Sequence, residues 1–265
     1  MSDIILEVSY LTKKFPVERH FWQKPSYFTA VDDISFSIHA GETLGLLGES
    51  GCGKSTTARI LMGLYPPDAG TVRYQGRELQ SLSEKEYRPL RREIQMVFQN
   101  PFDSLDPGLK IRTQLLEPMS IWGIGSDRAD RMKRIFTLCE ECGMPRDCLE
   151  KLPSEFSGGQ LQRIAIIRAL LLKPKLLIAD EIVSALDIPV QNQILELLLQ
   201  MKQKHGLTLL FITHDLAVMR KMADVICVMR GGRLLASGTY EELLTKNEQD
   251  PYIRELIEAS YVFEA

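Results

Sequence analysis

The sequence predicts an α/β protein with a mainly parallel sheet, an antiparallel β layer near its N-terminal end and an inserted α-helical subdomain. Three observations predict it. Short apolar runs of the length that buried strands prefer recur at Thr43–Leu47, Ile94–Phe98, Leu176–Ala179 and Thr208–Thr213. Through the C-terminal half such runs alternate with helix-like segments, the order that gives parallel strands covered by helices. Between Pro101 and about Pro153 the strand signals stop, and helix-like segments punctuated by Pro107, Pro118 and Pro145 replace them.

The elements follow in order. Ile5–Tyr10 and Val31–Ile38 alternate apolar with polar side chains, the pattern of antiparallel strands with one wet face. Beyond Pro189, which suits a helix start, Ile194, Leu197, Leu198 and Met201 repeat at helical spacing. Lys202, Lys204 and His205 then load the helix C-terminus before Gly206 stops it. Val225–Met229 and Arg233–Ala236 flank Gly231-Gly232, a hairpin signal. No repeat or low-complexity segment interrupts this pattern.

At 265 residues, 45% hydrophobic and 25% charged, the chain has ordinary globular usage. No stretch approaches the roughly 18 unbroken apolar residues of a membrane span. Met1–Glu7 begins acidic and lacks a basic region leading into an apolar core, so the chain is expected to be neither exported nor inserted. A net charge of -3 supplies no electrostatic reason to bind nucleic acid, and no nucleic-acid partner is expected. Five cysteines, odd in number and unevenly spread, fit a reducing compartment. Cys139, Cys142 and Cys148 have a metal-like spacing, but no second pair follows. They fall among apolar positions of the helix-like segment Ile135–Cys142, where buried structural thiols are expected.

Gly48-Glu49-Ser50-Gly51-Cys52-Gly53-Lys54-Ser55 carries two glycines at the spacing of a P-loop, then lysine and a hydroxyl residue, between a strand and a helix from Thr56 to Leu64. Such a loop turns backbone N–H groups onto phosphate oxygens at a helix N-terminus. Lys54 neutralises β and γ charge, and the Ser55 hydroxyl suits Mg²⁺. A glycine-rich turn without a ligand is the plainer reading. Leu176–Ala179 ends in Asp180-Glu181, where Asp180 would support Mg²⁺ and Glu181 would orient or deprotonate an attacking water. Two acids merely ending a strand is its alternative. Ser157-Gly158-Gly159-Gln160 enters the helix Leu161–Leu172 as a second phosphate-seeking helix start, and equally fits a plain cap. Two such starts are explained if they serve two nucleotides, each held between two subunits. His214, at the end of a buried strand, lies where ligands bind in α/β sheets, although a structural histidine satisfies the same position.

The order of Gly48–Ser55, Gln99, Ser157–Gln160, Asp180-Glu181, Ser184–Asp187 and His214 resembles the nucleotide-binding subunit of ABC transporters over nearly the whole chain. The resemblance implies an ATPase using ATP and Mg²⁺. Gln99 would sense metal and γ-phosphate, Ser157–Gln160 would be the signature, Ser184–Asp187 the D-loop and His214 the switch histidine. Phe15 resembles the aromatic that stacks on adenine; a core aromatic is the other reading, and Phe21, Trp22 and Phe28 compete with it. Implied partners are a second ATPase subunit, related but different, two membrane permease subunits and, indirectly, an extracytoplasmic solute-binding protein. The implied location is the cytoplasmic face of the membrane.

The implied organisation is one domain over 1–265. Residues 1–100 and 164–240 form the P-loop ATPase core with its β layer, 101–163 the helical subdomain with the signature, and 241–265 a helical tail. Val97–Pro107, Ile212–Val218 and Asp250–Arg254 are similar to ATPases of the dipeptide, oligopeptide and nickel importers; Arg92–Phe98 and Ser157–Arg163 look more like the nickel type. A soluble ABC-type ATPase is the alternative, although its usual second cassette or long coiled coil is missing from this sequence. A soluble kinase has no use for the second helix start. Two positions depart from the family: Ile182 stands where proline is usual, and Phe156 where leucine is common.

Overall fold

A computed structural model describes residues 3–17, 26–246 and 250–262. They fall into two compact units, Met1–Tyr87 with Thr208–Ala265, and Arg88–Leu207.

The first unit opens with β1 (Ile4–Val17), β2 (Ser26–His39), β3 (Thr43–Leu47), α1 (Lys54–Leu61), β4 (Ala69–Tyr74), β5 (Arg77–Glu78) and α2 (Glu84–Tyr87). β1, β2, β4 and β5 make an antiparallel layer in the order β2-β1-β4-β5. The layer is the one predicted, but β1 and β2 run well past the alternating stretches. Register shifts between Val8 and Lys14, with Tyr10 at φ 54°, break the alternation at the point where the sequence signal ends. β4 and β5 carried no sequence expectation.

The second unit holds α3 (Leu90–Glu93), β6 (Ile94–Val97), α4 (Ile111–Ile121), α5 (Arg128–Glu141), α6 (Gly158–Leu170), β7 (Leu176–Asp180) and α7 (Ile188–His205). β6 and β7 pair in parallel. Among the described residues from 98 to 175 there is no strand. Asp127 caps α5, its carboxylate accepting from the Asp130 N–H at 2.8 Å. Gly206, at φ 63°, ends α7 where the sequence places a stop.

The chain returns to the first unit with β8 (Thr208–Thr213), α8 (Leu216–Met222), β9 (Val225–Arg230), β10 (Arg233–Gly238), α9 (Tyr240–Lys246) and α10 (Pro251–Val262). β3 lies between β8 and β9, parallel to both, and β10 pairs antiparallel with β9 across Gly231-Gly232. β3 and β8 are buried along their full lengths, which is why they read as unbroken apolar runs.

Candidate functional site

The P-loop leaves β3 at Gly48 and enters α1 at Lys54. Gly53, at φ 111°, sits so close to β2 that a Cβ there would collide with the Ala30 carbonyl, so only glycine fits. No side chain caps α1 and no acid occupies its first turn, which leaves a helix N-terminus suited to an anion. Lys54 is buried, its ammonium donating to the carbonyls of Gly48 at 2.6 Å and Glu49 at 2.8 Å. The Cys52 Sγ is 3.9 Å from that ammonium. Burial pushes the Cys52 thiol pKa up, with the Lys54 charge opposing. Glu49, Ser50 and Gly51 are exposed, and Ser55 and Thr56 are half-buried at the helix start.

Two neighbours of this loop were not foreseen. Gly232 in the β9-β10 turn donates its N–H to the Cys52 carbonyl at 3.0 Å. Tyr252 of α10 accepts from the Glu49 N–H at 3.0 Å. His214 follows β8 directly and is exposed, while Asp215 caps α8 by accepting from Ala217 and Val218 N–H groups. Phe15 is half-buried, edge-on to Tyr65 with ring centroids 5.4 Å apart. Phe28 lies opposite it in register and is exposed; Phe21 and Trp22 lie outside the described residues.

In the second unit the structure joins Gln99 to the acidic strand end. Its amide donates to the Glu181 carboxylate at 3.1 Å and to Ser184 Oγ at 3.3 Å. Asp180 is 5% exposed at the last position of β7. Glu181 stands at φ 49°, a left-handed conformation that non-glycine residues rarely take. Its carbonyl accepts from the Ser184 N–H at 3.2 Å and hydroxyl at 2.9 Å, which close the turn into 184–187. Ile182 is buried in that turn and lacks the restriction that a proline would place on the residue before it.

Ser157 caps α6: its Oγ accepts from the Gln160 N–H at 3.4 Å, and Gln160 Oε1 accepts from the Ser157 N–H at 3.0 Å. A Cβ at Gly159 would collide with Val190 of α7, and one at Gly158 would stand 3.4 Å from Leu186. The Ser157–Gln160 and Ser184–Asp187 segments are therefore neighbours. Cys139, Cys142 and Cys148 are buried; Cys139 donates to Cys148, raising its own pKa and lowering its partner's, and burial pushes Cys142 up to about 12. Among the described residues no cluster of histidine, cysteine and carboxylate is arranged to hold a metal ion.

The family model described as ABC transporter matches residues 31–184. The oligopeptide transport ATP-binding protein OppF of Escherichia coli is 41% identical across 97% of this chain and 77% of its own length. The chain belongs to the ABC transporter family. A probable peptide ABC transporter ATP-binding protein, y4tS of Sinorhizobium fredii, is 45% identical across 99% of this chain and 74% of its own length. Among solved structures, cbiO1 of Clostridium perfringens, part of the ABC transporter complex cbiONQ, has a TM-score of 0.77 at 26% identity, covering 99% of this chain and 100% of that one. The ATP-binding cassette MJ0796, solved as a dimer in a post-hydrolysis state with ADP and phosphate, has a TM-score of 0.78 at 27% identity and covers 88% of this chain and 98% of that one.

This ABC subunit is an ATPase that binds ATP, of the kind that dimerises and works with membrane permeases. Among its described residues no helix is long and apolar enough to cross a membrane.

Proposed function

We propose that this ABC ATPase energises import of a small solute, a peptide in the first reading, through two separate permease subunits on the cytoplasmic face of the membrane. The supporting observation is the 41–45% identity, over nearly the whole chain, to ATP-binding proteins named for peptide transport. A nickel or other metal chelate is the second reading, carried by the Arg92–Phe98 and Ser157–Arg163 segments. A binding protein outside the membrane would deliver the solute. The partner cassette would be a related but different chain.

The site roles follow from the residues. Lys54 and the N–H groups opening α1 would hold the triphosphate, and Phe15 would stack on adenine. Ser55, Gln99 and Asp180 offer the hard oxygen donors that Mg²⁺ prefers, and Mg²⁺ takes few protein ligands beside phosphate and water, which fits a site without a carboxylate cluster. When bound, the metal neutralises charge on the β- and γ-phosphates. Glu181, held by Gln99, would orient and deprotonate the attacking water, and His214 would contact the γ-phosphate. Ser157–Gln160 would complete the nucleotide site of the partner cassette. The division into core, helical subdomain (101–163) and tail (241–265) gives the helices the task of passing movement to the permeases. Two ATP molecules closing the dimer from 1:99 to 99:1 must supply about 5.5 kcal/mol of differential affinity.

Purification from detergent-solubilised membranes tests this. The expected result is co-elution with two hydrophobic permeases and a second cassette, with hydrolysis stimulated by solute-loaded binding protein. A stable, fully active monomer without membrane partners would overturn it.

A further inference from the structure

The peptide unit joining Gly48 to Glu49 is held from both sides. Its carbonyl accepts from the Lys54 ammonium at 2.6 Å, and its N–H donates to the Tyr252 hydroxyl at 3.0 Å. Hydrogen bonds in series through one amide polarise each other, so an acceptor at the N–H strengthens the carbonyl as a seat for the ammonium. Tyr252 is itself fixed. It is 2% exposed, and the Arg230 guanidinium lies 4.5 Å from its ring centroid. Asp250 caps α10 by accepting from the Tyr252 and Ile253 N–H groups at 2.9 and 3.2 Å. Further along α10, Ile253 and Leu256 line an apolar seat with Leu47, the residue before the P-loop, and Val228 of β9.

We propose that Tyr252 is a positioning residue of the nucleotide site: through the Gly48–Glu49 peptide it sets the seat of Lys54, and so couples docking of α10 to nucleotide binding. The inference rests on the reading of Gly48–Ser55 as the ATP cradle. Coupling of this kind is reciprocal: whatever factor the docked helix adds to ATP affinity, bound ATP adds to helix docking.

The full chain tests it with Tyr252→Phe, which keeps the ring and its packing and removes one oxygen. The dissociation constant for ATP is expected to rise about three- to tenfold, the span of one hydrogen bond. Tyr87→Phe is the control, because its hydroxyl bonds the Leu61 carbonyl at the far end of α1; it is expected to leave ATP affinity within twofold of wild type. Hydrogen exchange supplies a readout that simple packing does not move. ATP is expected to slow exchange over residues 250–258 in the wild type and to lose that effect in Tyr252→Phe. An ATP affinity within twofold of wild type for Tyr252→Phe, or tail exchange indifferent to ATP, overturns the coupling. A wild-type chain that binds no ATP overturns the cradle reading beneath it.

Discussion

The N-termini of α1 and α6 are both glycine-rich helix starts, and they are finished in opposite ways. At α1 the cap is Gly53, which has no side chain to cap with, and the Lys54 ammonium is held on loop carbonyls. At α6 the cap is Ser157, which exchanges hydrogen bonds with Gln160, and Ser157, Gly158 and Gln160 are exposed. The first helix start has no side-chain cap of its own. The second is complete on its own and offers its serine outward. A phosphate arriving at α6 replaces a bond already made, so its net gain is smaller. This difference is what the proposed division of labour needs, with nucleotide held at α1 and α6 serving only within an assembly.

The largest expected effect removes chemistry and leaves both helix starts intact. Glu181→Gln is expected to lower steady-state phosphate release by about 10²- to 10⁴-fold, with ATP affinity preserved. Undiminished hydrolysis would sink the assignment of Glu181 as base. Next comes Lys54→Ala, which strips the uncapped end of its cation and takes the ammonium from the buried Gly48 carbonyl, a cost of about 1–3 kcal/mol. Calorimetric titration is expected to record ATP binding weakened tenfold or more, and an unchanged affinity would break the contrast at its first term.

Ser157→Ala sharpens the second term. Loss of the cap costs about 1 kcal/mol and lowers Tm by about 2–4 °C. ATP affinity of the isolated chain is expected to stay within twofold while turnover of the assembled complex falls; equal losses in both would place Ser157 in its own chain's site. The smallest effect concerns Cys52. With its thiol pKa raised by burial, the thiolate is scarce near neutrality and grows only as pH climbs towards the raised value. Iodoacetamide labelling followed by mass spectrometry is therefore expected to be slower at Cys52 than at free cysteine at pH 7.5. Rapid labelling there would mean that the loop is looser than its hydrogen bonds imply.

Much of this was legible in the sequence, for identifiable reasons. β3 and β8 announced themselves because strands buried on both faces carry near-continuous apolar runs rather than alternation. The P-loop was legible because its glycines answer to backbone geometry, as Gly53 against the Ala30 carbonyl illustrates. The far halves of β1 and β2 were not, because the register shifts between Val8 and Lys14 interrupt the period of two before it reaches them. Ser157 was read both as cap and as phosphate contact, and the structure realises the cap. The bond from Gln99 to Glu181 spans 82 positions and that from Glu49 to Tyr252 spans 203, and no local pattern encodes a meeting of that range.

The interleaving of the two units bears on how the chain is made. Arg88–Leu207 is one continuous stretch, able to gather as it leaves the ribosome. The other unit has to wait. β3 has both neighbours, β8 and β9, at the far end of the message, and the Gly41 amide that begins its turn bonds a hydroxyl 167 positions later. A nascent chain stalled before Thr208 thus displays the whole P-loop motif on an unpaired strand whose Leu44, Leu46 and Leu47 are meant for the core. That strand is a natural client for a chaperone until translation delivers its sheet.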